Sequence, residues 1–78
     1  MSVYESLREI LASTLKTDVA NIDKASSVKT LPAWDSLAHV NLMVALEDSF
    51  DIELEPEDFP KLTSVAAICE HLERLGVS

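Results

Sequence analysis

Apolar residues recur at helical spacing near the start of the chain. They return every three or four positions and are separated by polar residues, at Val3, Leu7, Ile10, Leu11 and Leu15. This spacing places them along one side of a helix, which we predict to run from about Val3 to Lys16. Ser2, with Glu5 three residues later, has the form of a capping box at its start.

A second helix is predicted from about Ser36 to Phe50. Its apolar residues cover most of the circumference: Leu37, Val40, Leu42, Val44, Leu46 and Phe50. A helix of this kind is either well buried or carries an exposed apolar patch. Asp35 or Ser36 would cap its first turn, since both residue types are favoured there.

The C-terminal part of the chain predicts two further helices. Residues 51–55 alternate polar and apolar but have no partner strand, so we interpret them as an extended linker. A short third helix runs from about Pro56 to Lys61, because proline is favoured in a first turn. The fourth runs from about Ser64 to Leu75, with Thr63 as its cap and Gly76 as its C-terminal stop.

These elements predict an all-α fold, a small four-helix bundle of three main helices and one short third helix. Residues 17–35 lack clear periodicity and form a long first loop. With 78 residues, 47% of them hydrophobic, the chain has the size and composition of one domain over residues 1–78.

The charge balance excludes some partners. Six basic and 14 acidic residues give a formal net charge of −8, which disfavours nucleic acid and anionic membrane surfaces. Apolar runs reach only five residues, too short for a membrane span, and no secretory signal is visible. We therefore expect a cytoplasmic protein.

The negative charge is concentrated in the middle of the chain. No Lys or Arg lies between Lys29 and Lys61, while eight acids do. These acids could form a docking face for basic partners, or simply a solvated surface; the composition leaves both interpretations open.

The sequence gives little support for a catalytic site or a metal site. Ser36 and His39 share a helix face, but no oxyanion donor or orienting third residue accompanies them. We therefore predict no enzymatic activity and interpret His39 as an exposed or partly buried helix residue. The acids after Phe50 do not match a calcium loop, although weak divalent binding by the clustered carboxylates stays open. The lone Cys69 excludes an internal disulfide and is predicted to be a small buried core residue.

The segment from Asp35 to Ile52 resembles the central segment of an acyl carrier protein. It has Asp-Ser-Leu at a helix start, then Val and Leu at helical spacing, and an acidic pair before Phe. Length, acidity, the long first loop and the Pro-Glu-Asp start of the short helix extend the resemblance over essentially the whole chain. It implies that a phosphopantetheinyl transferase attaches 4′-phosphopantetheine covalently to Ser36, beside Asp35 and Leu37. Acyl groups would then be carried as thioesters, and the bundle could shelter an acyl chain.

The resemblance also implies a monomer that docks acyl-loading and acyl-processing enzymes through their basic patches. The residues predicted to make this docking face are Trp34, Val40, Met43, Glu47 and Asp48. For Trp34 a second interpretation stays open, in which the indole anchors the first loop on the bundle.

Some residues depart from the family pattern. Many fatty-acid carriers have Asp-Leu-Gly-Ala before the motif, where this chain has Leu-Pro-Ala-Trp at 31–34. Ala38 and Asn41 stand at positions that are often acidic. These departures favour a dedicated carrier in a specialised pathway at least as much as a housekeeping one. The alternative hypothesis is an acidic helical adaptor that binds a basic partner without a prosthetic group.

Overall fold

Helices make up the regular structure of residues 3–77, the part of the chain that this computed structural model describes. The three α-helices are α1 (Val3–Leu15), α2 (Ser36–Phe50) and α3 (Val65–Arg74). Two 3-10 helices lie between them, the first at Val19–Asn21 and the second at Pro56–Lys61. The predicted helical bundle is confirmed, and α2 has the predicted bounds. The proposed Ser2 cap lies outside the described residues.

The core forms where α1 packs against both α2 and α3. Each α-helix contributes three buried apolar side chains, spaced three or four residues apart or adjacent. They are Leu7, Leu11 and Leu15 from α1, Leu42, Met43 and Leu46 from α2, and Val65, Ile68 and Leu72 from α3. Burial of this apolar surface is the main force holding the helices together.

The long first loop is tied to the bundle by buried side chains and by an arginine. Ile22 is fully buried in the core. The Arg8 guanidinium of α1 donates hydrogen bonds to the carbonyls of Val19 and Ile22, at 2.8 and 2.9 Å. These bonds satisfy carbonyls around the first 3-10 helix. The sequence pattern did not predict this helix.

The start of α3 differs by one residue from the prediction. Its N-cap is Ser64, whose Oγ accepts a hydrogen bond from the Ala67 amide at 3.1 Å, so the prediction of Thr63 is wrong. The Thr63 carbonyl instead accepts a hydrogen bond from the Val28 amide of the first loop, at 3.0 Å. This long-range pairing shifts the first helical turn one residue along the chain.

The ends of α1 and α3 lie one residue earlier than predicted. Lys16 adopts a left-handed conformation with φ of 55° and terminates α1, while the Thr17 amide donates to the Ala12 carbonyl. Leu75 caps the end of α3, and Gly76 follows with φ of 84°. Both ends follow the usual pattern in which a left-handed residue stops a helix.

Candidate functional site

Ser36 is the first residue of α2 and its side chain is exposed. Asp35 is the N-cap, and its Oδ1 accepts a hydrogen bond from the Ala38 amide at 2.9 Å. The Asp35 carbonyl accepts from the His39 amide at 2.8 Å, which closes the first turn. The Ser36 hydroxyl is therefore presented to solvent at a helix end whose amides carry partial positive charge.

Trp34, directly before the cap, points into the bundle. Its side chain is 2% exposed, and its indole Nε1 donates a hydrogen bond to Nδ1 of His39 at 3.0 Å. The expectation that Trp34 contributes to a docking surface is wrong for this reason. The other interpretation, an anchor that packs the loop on the bundle, agrees with the structure.

His39 joins α2 to the second 3-10 helix. An indole N–H can only donate, so Nδ1 of His39 must accept and the neutral ring carries its proton on Nε2. That Nε2–H donates to the Phe59 carbonyl at 2.7 Å. His39 is partly buried, as expected, and both ring nitrogens are occupied by structural hydrogen bonds. Neither nitrogen is left to act as a base toward the Ser36 hydroxyl.

A groove of about 350 Å³ opens beside the serine. It is lined by residues from α2, from the first loop and from the segment before α3: Val28, Trp34, Asp35, Ser36, His39 and Thr63. The groove thus places the exposed hydroxyl next to a partly apolar surface that includes the Trp34–His39 pair.

One side of α2 exposes an apolar stripe. Leu37, Val40 and Val44 are 73%, 48% and 52% exposed, and their spacing puts them on one face. Met43 is fully buried, so the prediction that it lies on the docking face is wrong. An all-round apolar helix does not reveal from sequence which side will be covered.

The two predicted docking acids differ in their surroundings. Asp48 is exposed. Glu47 is partly buried, and its Oε2 accepts a hydrogen bond from the Leu54 amide at 3.0 Å. Glu47 therefore holds the 51–55 linker against α2, while Asp48 is available to a partner.

The acids and the cysteine form no metal site in the part of the chain that the structure describes. No group of three or more His, Cys, Asp or Glu residues within 3–77 is placed to hold a metal ion. Cys69 is partly rather than fully buried and lines a groove of about 470 Å³ between α1 and α3. Burial and the nearby Glu73 carboxylate raise the pKa of the Cys69 thiol, against a smaller opposing effect of Lys24.

The link from Trp34 through His39 to Phe59 is the part of the site that sequence reasoning missed. Trp34 and His39 lie five residues apart across a helix start, and a Trp next to an N-cap with a His in the first turn is the signal that could have found the first bond. The Phe59 contact spans 20 positions along the chain, and nothing local in the sequence indicates it.

Several known proteins are similar to this chain over most of its length. A family model described as a phosphopantetheine attachment site matches residues 5–72. The acyl carrier protein of Campylobacter curvus (strain 525.92) is 30% identical over 76 residues, covering 97% of this chain and 99% of that protein. The acyl carrier protein of Helicobacter pylori (strain J99) is 35% identical over 74 residues, covering 94% of each.

A solved structure shares the fold. The solution NMR structure of holo acyl carrier protein from Geobacter metallireducens superposes with a TM-score of 0.82. It is 27% identical, and the match covers 95% of this chain and 85% of that one. Among residues 3–77, no helix combines the length and apolar character that crossing a membrane requires.

Proposed function

Because this chain belongs to the acyl carrier protein family, we propose that Ser36 is the residue to which its phosphopantetheine prosthetic group is attached. The observation that carries this proposal is an exposed serine hydroxyl at the first position of α2, inside the matched region 5–72. Asp35 and Leu37 complete the Asp-Ser-Leu pattern around it. The bound group would supply a thiol on which acyl intermediates are carried as thioesters.

The residues around Ser36 suit a phosphodiester. The hydroxyl oxygen forms the new bond to the β-phosphorus of coenzyme A, adenosine 3′,5′-bisphosphate leaves, and the hydroxyl proton passes to the transferase. The free amides and the dipole at the start of α2 then stabilise the phosphate charge. The Asp35 carboxylate would oppose that charge, and its hydrogen bond to the Ala38 amide reduces the repulsion.

Partner enzymes would dock on α2 next to Ser36. The stripe of Leu37, Val40 and Val44 supplies apolar contact area, and Asp48 adds a negative charge farther along the helix. Ala38 and Asn41 add no charge beyond that of Asp35 to the surface near the serine, which supports partners that meet the α2 side of this surface with apolar side chains. Basic side chains of a partner would then pair with the acids that follow. A cytoplasmic location is consistent with such partners.

Intact mass tests the attachment. The purified chain is incubated with coenzyme A, magnesium and a broad-range phosphopantetheinyl transferase, beside Ser36→Ala and Ser49→Ala. Ser49 is also exposed on α2 and serves as the matched control. We expect one phosphopantetheinyl addition to the wild type and to Ser49→Ala, and none to Ser36→Ala. An addition to Ser36→Ala would refute the site, and partner binding without any addition would favour the adaptor hypothesis.

Two exposed leucines test the docking surface. Leu37 lies on the α2 stripe, while Leu75 is 46% exposed at the end of α3. We expect Leu37→Ala to raise the KM of the transferase for this chain and Leu75→Ala to leave it unchanged. Equal KM values for the two variants would place the docking surface elsewhere.

A further inference from the structure

Ser36 lies in an exposed stretch that is anchored by one buried residue. The two residues before Trp34 and the three residues after it are exposed, whereas the Trp34 side chain is 2% exposed. The Trp34 indole Nε1 donates to Nδ1 of His39 at 3.0 Å. This hydrogen bond therefore attaches the chain to the bundle one residue before the N-cap of α2.

His39 contacts both residues that precede Ser36. Its backbone amide donates to the Asp35 carbonyl at 2.8 Å, and its Nδ1 accepts from the Trp34 indole. Nε2 of the same ring donates to the Phe59 carbonyl at 2.7 Å, which holds the ring in place against the second 3-10 helix. We call the contacts of His39 with Trp34 and Asp35 the His39 clamp.

Loss of the indole hydrogen bond would disorder the start of α2. A buried N–H without a partner is unfavourable, and water can pair with it only if the indole moves out of the bundle. Because Trp34 adjoins Asp35 in the chain, this movement would carry Asp35 away from the Ala38 amide, which it caps at 2.9 Å. The first turn of α2 would then fray, and Ser36 would lose its fixed position at the helix start.

We propose that His39 is a positioning residue for phosphopantetheine attachment, because the His39 clamp keeps Ser36 at the ordered start of α2. This inference rests on the proposed attachment at Ser36. His39 takes no part in the transfer itself, since hydrogen bonds occupy both of its ring nitrogens. A transferase that binds only the ordered helix start binds the chain in proportion to the fraction of time for which that start is formed.

Two substitutions separate the hydrogen bonds of the His39 ring. The side-chain amide of Asn places its oxygen near the position of Nδ1, so His39→Asn keeps an acceptor for the Trp34 indole. Gln is one carbon longer and places its amide near the position of Nε2, so His39→Gln keeps a donor for the Phe59 carbonyl and loses the acceptor for Trp34. Only His39→Gln therefore opens the His39 clamp.

The KM of a broad-range phosphopantetheinyl transferase for each apo chain tests the clamp. Initial rates of attachment are followed by intact mass at several carrier concentrations. We expect His39→Gln to raise KM about threefold with kcat unchanged, as for a helix start that is ordered about one third of the time, and His39→Asn to keep the wild-type KM. His71→Ala is the control, since it removes the other imidazole, which lies 3.9 Å from Asp58.

The pH profile gives a second readout, which a purely structural role would not move. Histidine side chains take up a proton between about pH 8 and 5, and a proton on Nδ1 of His39 would face the indole N–H with a second donor. We therefore expect the KM of the wild type, relative to that of His39→Asn, to rise as the pH falls from about 7.5 to 5.5, because Asn does not titrate. His71→Ala should follow the wild type.

The charged groups around the ring come from two elements. On the side of α2, Asp35 lines the same groove as His39, and the neighbouring groove residues Val28 and Thr63 are uncharged. The charged residues of the second 3-10 helix are Glu57, Asp58 and Lys61. Of these, Glu57 is exposed, while Asp58 and Lys61 line a groove against α3 together with His71. A pH effect that persists in His71→Ala and is absent in His39→Asn therefore belongs to His39.

The outcomes separate this inference from the attachment itself. A wild type that gains no phosphopantetheine would overturn the attachment at Ser36, and this inference with it. Attachment to the wild type, with equal KM values for the wild type and a folded His39→Gln, would overturn only the role of His39. A KM ratio of wild type to His39→Asn that stays constant with pH would do the same.

The wild type alone decides the matter if a variant does not fold. The chain has one tryptophan, so a proton–nitrogen NMR spectrum shows one indole signal. Over the same pH range, we expect this signal and the backbone amide signal of Ser36 to move with one midpoint. A Ser36 signal that stays constant while the indole signal moves would overturn the clamp.

Discussion

The Trp34 indole donates a hydrogen bond to the His39 imidazole at 3.0 Å, and this contact joins the residue before the α2 cap to the first turn of the helix. The Trp34 side chain is 2% exposed, so without His39 its indole N–H would lose its hydrogen-bond partner in a largely buried position. The same imidazole reaches Phe59. The first loop, α2 and the second 3-10 helix are thereby held together beside Ser36.

The Trp34–His39 pair should therefore show strong energetic coupling. We expect His39→Leu to lower the free energy of unfolding by about 1–3 kcal/mol, because it leaves a buried donor unpaired. Trp34→Phe combined with His39→Leu should lose less than the two single changes together, since neither polar partner remains. Urea unfolding of the four proteins measures the coupling. Strictly additive losses would show that the bond contributes nothing.

Patterns of neighbouring residues were sufficient to predict those features of the fold that depend on local interactions. Asp35 caps α2 and the apolar spacing continues to Phe50, so both bounds of this helix followed from neighbouring residues. The place of Ser36 at the start of α2 also followed, because Asp35 and Ser36 are both residue types that are favoured there. The bundle itself followed from apolar stripes on helices that have no other way to bury them.

Tertiary contacts determine the cap of α3 and the buried side of α2, which local sequence patterns did not predict. Thr63 and Ser64 are both good caps, and the pairing of Val28 with Thr63 selects the second. The α2 helix is apolar on most sides, so its pattern did not show that Met43 is buried while Val40 is exposed. Both outcomes depend on which residues, distant in sequence, pack against the element.

The left-handed residues at two helix ends predict opposite effects on stability. Gly76 has φ of 84°, and an added Cβ would meet nothing within 4 Å. We therefore expect Gly76→Ala to lower the free energy of unfolding by about 1 kcal/mol, the cost of holding alanine in a left-handed conformation. Lys16 has φ of 55°, so Lys16→Gly should raise the free energy of unfolding by a similar amount, because glycine adopts this conformation without that cost. Thermal unfolding measures both. A Gly76→Ala protein as stable as the wild type would contradict the helix end described here.

The Cys69 thiol should react slowly at neutral pH. Its pKa is raised by burial and by Glu73, so only a small fraction is thiolate, the reactive form. Glu73→Gln should shift the pH profile of iodoacetamide alkylation to lower pH, and Lys24→Gln should shift it to higher pH. Apo protein is used, so that no other thiol contributes. Profiles that do not move in either variant would contradict these electrostatic causes.

Salt should stabilise the fold through the acidic stretch that begins at the end of α2. Asp48, Asp51, Glu53, Glu55 and Glu57 are all exposed, and no Lys or Arg lies between Lys29 and Lys61. Raising ionic strength from about 0.01 to 1 M shortens the Debye length from about 30 to 3 Å and weakens their repulsion. We expect Tm to rise over this range, and to rise less in Glu53→Lys. A flat Tm curve for the wild type would show that these charges repel too weakly to matter.

Substitution can separate the capping role of Asp35 from the role in phosphopantetheine attachment that we propose for its carboxylate. As an N-cap it matches Ser64, since each accepts from the amide three residues later, at 2.9 and 3.1 Å. We therefore expect Asp35→Ala and Ser64→Ala to lose about 1 kcal/mol of stability each. Only Asp35→Ala should also slow attachment of phosphopantetheine, because only this carboxylate adjoins Ser36.

Asp35→Asn distinguishes the charge from the cap. The amide oxygen of Asn can still accept from Ala38, so stability should stay near that of the wild type, while the negative charge beside Ser36 is lost. If the transferase recognises that charge, Asp35→Asn will be modified as slowly as Asp35→Ala, and Ser64→Ala will be modified at the wild-type rate. The initial rate of mass gain, measured where circular dichroism shows every variant folded, decides this. Equal rates for all four proteins would mean that Asp35 serves α2 only as its cap.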